Sequence, residues 1–526
     1  MILRVDFQQD STRRMDVSPK TILLTGATGF LGRYFLKDLL LLGKQVIVVG
    51  RGRGPISGQD RIEAILQDWE SRLGRRLLRP RFIDGNLNSP DLGIAGSKSD
   101  NALLGRVDAV LHCAASLRFE EDEERQEPLR TNVTGTRNIV EFAQESGIQH
   151  FHHISTAYVC GQRHCLIEES DLDQGQSFHN IYEQSKFQAE QVVRAAGGFT
   201  TKTIYRPSIV VGDSETGFSS TFHTIYSILR FLRALPDQNS ASLDWIFHKL
   251  QLSGDEGKNL VPVDWVSQST IALLVNPHAW GKTYHLTNSI PITANQLSDA
   301  IAEAIAMKQH HWDAMALPAS ITDAQAAYQM HVDAYRGYLA NDPQFDMSQF
   351  KNILPDNSAP AIDHAMLVKM LAFAIENRFR DPTLPIPRHI DGRDFVSSLD
   401  RAVHDDSVLE SFKTFEWTIR ISGFGGGIWN FGDSSGNEKQ NANSWVHVTS
   451  ETWTELLTGT LSAEQAIHSQ RFLIIGSNED RSLIRQSLEQ LIAWCRINLH
   501  HADSGDEGEE PSVLPLHKKK GGRRFA

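Results

Sequence analysis

Apolar positions in the first part of the chain come in short runs separated by stretches of helical periodicity. Ile22, Leu23 and Leu24 form one run, KQVIVV (44–49) a second, RFIDGNL (81–87) a third and VDAVLHCAA (107–115) a fourth. RYFLKDLLLLG lies between the first two and TNVTGTRNIVEFAQ after the fourth, and both read as helices. QHFHHISTAYVCG (149–161) brings another strand, and NIYEQSKFQAEQVV (180–193) is helical in character. Apolar runs alternating with helices predict a doubly wound α/β layer, because strands of a parallel sheet are covered on both faces.

Further along, FSSTFHTIYSILRFLRAL (218–235) is amphipathic and suits either an apolar cleft wall or plain core. Residues 218–300 are expected to form the substrate-binding part of a first domain, 18–300. Residues 301–395 read as a helical extension, with LSDAIAEAIAMK and AMLVKMLAFAIENRF the clearest stretches, closed by Pro-rich DPTLPIPRH. Beyond a boundary near 390–400 the texture changes. FEWTIRISGFGGGIWNF (415–431) alternates large apolar and polar residues around a glycine turn and predicts a hairpin. WVHVTSETWTELLTGTLSAEQAIHSQRFLIIG (445–476) reads as strand, helix, turn, helix, strand. The end of the chain, 501–526, is acidic and then basic, the charge-block pattern of a disordered tail. Its Lys/Arg cluster offers a peripheral membrane contact.

Composition narrows the class. A chain of 526 residues exceeds a single compact core. Its 40% hydrophobic and 22% charged residues are those of an ordinary globular protein. A net charge of −12 excludes a general nucleic-acid binder, which needs a basic face. No apolar run reaches the ~18–20 residues that span a bilayer, and charges occupy the N-terminus where a secretory peptide is apolar. Four scattered cysteines make no disulfide framework, and Cys160, His164 and Cys165 lack the second cluster a zinc site requires, so a reducing cytoplasm and no metal are expected.

The candidate chemistry begins at the first strand. TILLTGATGFLG (21–32) has the strand, glycine turn, helix order of a dinucleotide site. Gly26 permits a tight turn, Gly29 allows the backbone to approach a pyrophosphate, and Gly32 allows close helix packing. The second strand ends on Arg51 and Arg53, where an NAD enzyme usually carries an acid. Two arginines there suit the 2′-phosphate of NADP(H). Ala114 and Ala115 at the end of their strand leave room for a cofactor. Tyr182 and Lys186 are four residues apart, hence on one helix face, where an ammonium lowers the phenol pKa and fits it for acid–base work. Thr156 at a strand end would hydrogen-bond a carbonyl or developing oxyanion, with Ser155 the alternative.

TGATGFLG, the TNVTGT helix, Thr156, Tyr182-x-x-x-Lys186 and YRPSIVVGDSETG (205–217) together resemble the extended short-chain dehydrogenase/reductases. The last segment and STAYV look most like the thioester-reductase and fatty acyl-CoA reductase (male-sterility-type) branch, and YRGYLANDPQFD (335–346) resembles a stretch beyond the core of such enzymes. The match covers roughly 18–350. His112-Cys113 and Asn86 depart from it, standing where the group more often has asparagine and aspartate. The resemblance implies a Rossmann fold and catalysis by Thr156, Tyr182 and Lys186. It also implies NADP(H) held by Gly26, Thr28, Gly29, Phe30, Leu31, Gly32, Arg51, Arg53, Asn86, Leu87, Ala114, Ala115, Asn132, Lys186, Arg206 and Pro207. The implied substrate is an acyl-CoA or acyl-carrier-protein thioester, reduced to aldehyde or alcohol. Residues 400–498 resemble the sterol carrier protein fold, a small α+β domain with an apolar tunnel for lipid. Two other readings share these residues: a sterol-type dehydrogenase or sugar-nucleotide epimerase, and a lipid carrier whose Rossmann part only senses NADP(H).

Overall fold

The computed structural model describes residues 18–52, 56–94, 107–223, 225–234, 253–313 and 341–380 of a first unit, Met1–Arg388, and parts of 399–499 in a second, His389–Ala526. The sequence readings at Arg53, at 235–252, over YRGYLA (335–340), at DPTLPIPRH and in the tail fall outside the described residues.

The first unit is built on a seven-stranded sheet. Its strands are β1 Thr21–Thr25, β2 Gln45–Gly50, β3 Arg81–Asp84, β4 Ala109–His112, β5 His150–Ile154, β6 Thr201–Pro207 and, after a short β7 (Ile209–Val211) and β8 (Leu260–Pro262), β9 Thr283–Leu286. They run in the order β9-β6-β5-β4-β1-β2-β3, all parallel. Side chains alternate along each strand between two covered faces. Ile22 and Leu24 of β1 and Val46 and Val48 of β2 face α1 (Phe30–Leu41) and α2 (Gly58–Leu73). Leu23, Ile47, Val49 and Val110 face α3 (Gly135–Glu145) and α4 (Ile181–Ala195). That alternation within fully apolar runs makes the sheet doubly wound.

The chain winds from β1 outward to β3, then restarts at β4 on the other side of β1. The loops after β1 and β4 therefore diverge and open a crevice at the carboxyl ends. Thr25 fastens the two strands there. Its hydroxyl lies 2.8 Å from His112 Nδ1 and accepts the N–H groups of Cys113 (3.2 Å) and Ala114 (3.3 Å).

Two segments differ from the sequence expectation. The STAYV strand ends at Ile154, and Ala157–Cys160 forms a single 3-10 turn whose Tyr158 N–H donates to the Thr156 hydroxyl at 3.3 Å. The TNVTGT helix opens with a π turn, Arg130–Thr134, before becoming α-helical at Gly135.

Above the crevice, α5 (Ile225–Ala234), α7 (Ala294–Met307) and α8 (His364–Glu376) pack around Tyr158, Ile209 and Val211. The intervening α6 (Val263–Leu274) packs back on α1. The second unit holds a four-stranded sheet of β10 Trp417–Ser422, β11 Gly427–Phe431, β12 Trp445–Thr449 and β13 Leu473–Ile475, in the order β11-β10-β12-β13. β10 and β11 are the expected hairpin, with Ile421 opposite Gly427. α9 (Ser450–Thr458), α10 (Ala463–His468) and α11 (Asn478–Leu499) complete it, and the core gathers Trp417, Trp453, Leu456, Ile484 and Leu488.

Candidate active site

A cleft of about 860 Å³ opens at the carboxyl ends of the strands. Its floor is the turn after β1. Gly26 has φ +75°, and a Cβ there would stand 2.7 Å from the Ala114 nitrogen, so only glycine lets the two loops meet. Gly29 donates its N–H to the Gly26 carbonyl at 2.9 Å and caps α1 without any side chain. No acidic residue stands in the first turn of α1. Its unpaired N–H groups and positive dipole end therefore suit a phosphate. The residues present fit a dinucleotide: a Cβ-free cradle, an uncapped helix N-terminus and a cleft running on to a phenol and an ammonium.

Of the residues expected to hold the cofactor, Gly26, Thr28, Gly29, Phe30, Leu31, Gly32, Arg51, Asn86, Leu87, Ala114, Ala115, Lys186 and Pro207 all line this cleft. Arg53 lies outside the described residues. Two others are displaced from it. Asn132 is 1% exposed, and its amide is spent inside the protein. Its Oδ1 accepts the Ser116 N–H (2.7 Å), and its Nδ2 donates to the Ser116 carbonyl (2.9 Å) and the Ser185 hydroxyl (2.8 Å). Arg206 is fully buried, its guanidinium held by both oxygens of Glu190 and by the Asp171 carbonyl. Each satisfies buried polar groups instead of facing the cleft.

Thr156, Tyr182 and Lys186 converge on the far end of the cleft. Asn180 starts α4 by accepting the Glu183 N–H at 3.0 Å, which places Tyr182 in the first turn and Lys186 one turn on. Tyr182 is half-buried, with the Phe119 ring 5.6 Å away. Lys186 is 4% exposed and donates to the Ile154 carbonyl at 2.7 Å. Burial lowers the Lys186 ammonium to about 8. Burial also raises the Tyr182 phenol, while a hydrogen bond with the Thr156 hydroxyl pulls it back down. The expected lowering of the phenol by Lys186 is thus not what the site displays. The ammonium is committed to Ile154, and desolvation disfavours the phenolate. Burial thus favours the protonated phenol at Tyr182. Ser155, the alternative to Thr156, donates its hydroxyl to Glu190 at 2.7 Å, leaving Thr156 as the hydroxyl beside Tyr182.

Cys113 and His112 surround this end as uncharged groups. Burial pushes the Cys113 thiol up to about 12 and the His112 imidazole down to about 3, and the imidazole sits between the hydroxyls of Thr25 (2.8 Å) and Thr136 (3.0 Å).

Several lining residues escaped the sequence reading. Arg61, in the first turn of α2, lines the cleft with Arg51 and donates to the Arg51 carbonyl at 3.2 Å. Leu117, Phe119, Tyr158, Ile209, His223 and Tyr226 add a mostly apolar wall. Tyr158 is fixed from beyond the core: its hydroxyl donates to Asp342 at 2.7 Å, and Asp342 pairs with Lys258 at 3.1 Å. Arg61 was legible only as one more helix arginine.

Residues 24–270 match the model of the family described as Male sterility protein. A linear gramicidin synthase of Brevibacillus parabrevis is 29% identical over 291 residues, 53% of this chain and 5% of that protein. Fatty acyl-CoA reductase 1 of Mus musculus is 30% identical over 301 residues, 48% of this chain and 54% of that protein. The chain thus spans about half or less of these relatives. Among solved structures, the terminal R domain of the myxalamid PKS-NRPS biosynthetic pathway is similar with a TM-score of 0.55 and 25% identity, covering 71% of this chain and 94% of that one.

Proposed function

From the match of residues 24–270 to the model of the male sterility protein family, we propose that this chain reduces an acyl thioester with NADPH, giving aldehyde and free thiol. One observation carries the reading: the Thr156 and Tyr182 hydroxyls and the Lys186 ammonium meet at the end of a glycine-floored cleft whose wall is mostly apolar. Bound NADPH supplies the hydride. The chain's own groups do the rest.

The thioester carbonyl oxygen accepts from Thr156 and Tyr182, two donors aimed where negative charge develops. Tyr182, kept protonated by burial, gives its proton to that oxygen, so a neutral hemithioacetal forms. Its carbon–sulfur bond then breaks. The hydroxyl proton returns to the Tyr182 phenolate, the carbonyl re-forms as aldehyde, and the sulfur departs as thiolate and takes a proton from solvent to become the free thiol. Lys186, anchored on Ile154, stands on the Tyr182 face of α4 as the nearby positive charge and a hold for the nicotinamide ribose. Leu117, Phe119, Tyr158 and Tyr226 give an apolar acyl chain its wall.

The test is NADPH oxidation by the full chain with a panel of acyl-CoAs, a sterol ketone and buffer. Oxidation that depends on acyl-CoA and releases free thiol supports the reading. Turnover of the ketone alone moves the chain to the sterol-type dehydrogenases and ends it.

Arg51 and Arg61 are proposed to clasp the 2′-phosphate from the end of β2 and the start of α2. Replacing both with alanine is expected to weaken NADPH binding ~10- to 100-fold and leave NADH almost unchanged, as read by cofactor fluorescence titration. Equal weakening of the two cofactors would remove the arginines from that role.

A further inference from the structure

We propose that Glu190 is a positioning residue that holds Thr156 against Tyr182, by gripping Ser155 from the helix that carries Tyr182 and Lys186. The proposal rests on the reading of Thr156 and Tyr182 given above. Tyr182, Lys186 and Glu190 follow one another at intervals of four and so share one face of α4. That face meets the tip of β5 at two successive points. Lys186 donates to the Ile154 carbonyl at 2.7 Å, and Glu190 accepts the Ser155 hydroxyl at 2.7 Å. Thr156 is the next residue. Ser155 is therefore a peg, and the helix bearing the proton donor sets where Thr156 stands.

Glu190 is itself immobilised. It is fully buried and takes Arg206 Nε at 3.1 Å, an Arg206 terminal nitrogen at 2.7 Å and Arg194 Nε at 2.9 Å. Burial alone would raise the carboxyl, but the two guanidiniums hold it below its usual range, so the grip is ionic throughout the working pH range. Arg206 is anchored in turn on the Asp171 carbonyl at 2.6 Å and directly precedes Pro207, whose carbonyl accepts from the Thr156 hydroxyl at 3.4 Å. One carboxylate thus joins α4, the tip of β5 and the end of β6, the three elements that bring Thr156, Tyr182, Lys186 and Pro207 to the cleft. A buried ion pair is weak evidence of stabilisation as such, since apolar replacements often fold as well. Its place directly behind the reacting hydroxyls is the argument for position.

The experiment compares two changes in the full chain. Ser155→Ala removes the peg but leaves Glu190 paired with both arginines, so folding is preserved. The Glu190→Leu, Arg206→Met double variant removes both buried charges together, avoiding an orphaned one. Each is expected to lower kcat by ~10- to 100-fold, with KM and the NADPH dissociation constant nearly unchanged. Adding Ser155→Ala to the double variant should cost little more, because one linkage cannot be broken twice. In a crystal structure of Ser155→Ala the Thr156 hydroxyl should stand withdrawn from the Tyr182 hydroxyl, out of the hydrogen bond that joins them in the wild type. A merely structural role would leave that pair in place.

Wild-type kcat and an unmoved Thr156–Tyr182 pair in Ser155→Ala overturn the proposal. If the double variant does not melt cooperatively, Ser155→Ala decides alone. If the wild type reduces the sterol ketone and no thioester, the proposed function fails and Glu190 is judged on ketone turnover. If it reduces neither, the position of Thr156 in the Ser155→Ala crystal structure decides.

Discussion

Tyr182→Phe is expected to lower kcat by ~10²- to 10⁴-fold while the NADPH dissociation constant stays within experimental scatter. The substitution removes one oxygen. The ring and its contact with Phe119 at 5.6 Å remain, and the helix cap at Asn180 is untouched. What disappears is the proton that, in the proposed reaction, reaches the carbonyl oxygen as hydride reaches its carbon. Thr156 still stabilises an oxyanion but has no acidic proton to give, so the remaining rate reflects hydrogen bonding and proximity. Burial makes the role of donor the natural one: it raises the phenol above its ordinary value, so the proton is present at every working pH. Rates of NADPH oxidation and cofactor fluorescence titrations on the same preparation check both halves. Turnover equal to wild type would remove Tyr182 from the reaction. Lost cofactor binding would make it a binding residue instead.

The parts of this site that could be read in advance are those fixed by backbone geometry. Gly26 is tied to a left-handed φ and a close approach to Ala114, needs that no other residue meets, so its motif is informative wherever the flanking strand and helix agree. The doubly wound layer followed from apolar runs because a doubly covered strand admits little else. Side-chain partnerships across the sheet were not legible. Arg206 next to Pro207 reads as a cofactor contact until Glu190, sixteen positions earlier on α4, is seen to claim it. Asn132 reads the same way until the π turn at Arg130–Thr134 turns its amide onto Ser116 and Ser185. Arg61 comes beside Arg51 only because Ser57 starts α2 where it does, accepting the Asp60 N–H at 3.0 Å. The resemblance at 335–346 gave no hint that Asp342 would brace Tyr158 in the cleft wall. Electrostatics were least legible. A lysine one turn from a tyrosine lowers its pKa in water-like surroundings, yet here burial dominates both groups and moves them in opposite directions.

That opposition makes Lys186→Met the second informative change. Met fills the space of the aliphatic stem without the charge. Turnover is expected to fall by ~10²- to 10³-fold, and NADPH binding to weaken as well, because in the proposed reaction the ammonium both stabilises developing negative charge at Tyr182 and holds the ribose. The pH profile separates this from a packing defect. With the folded-state pKa of Lys186 near 8, the wild-type rate should fall as pH rises through that value and the ammonium is lost. The residual rate of Lys186→Met should have no such limb. Stability should move the other way. The ordinary lysine value is ~10.4, so between pH 8 and that value the unfolded chain binds a proton that the folded protein has released, and stability rises with pH. Below pH 8 both states are charged and the burial penalty, on the order of 3 kcal/mol, is present in full. At pH 7 the variant escapes that penalty but leaves the Ile154 carbonyl without its donor, a loss of ~1–3 kcal/mol, so the two nearly cancel. Chemical denaturation at pH 7 and pH 9.5 should therefore find the wild type gaining stability relative to Lys186→Met as pH rises, over a background common to both proteins in which the raised Cys113 thiol lowers stability. An equal change with pH in both proteins would place the titrating group elsewhere. A wild-type alkaline limb that survives in Lys186→Met would separate the lysine from the chemistry, leaving its bond to Ile154 as its whole contribution.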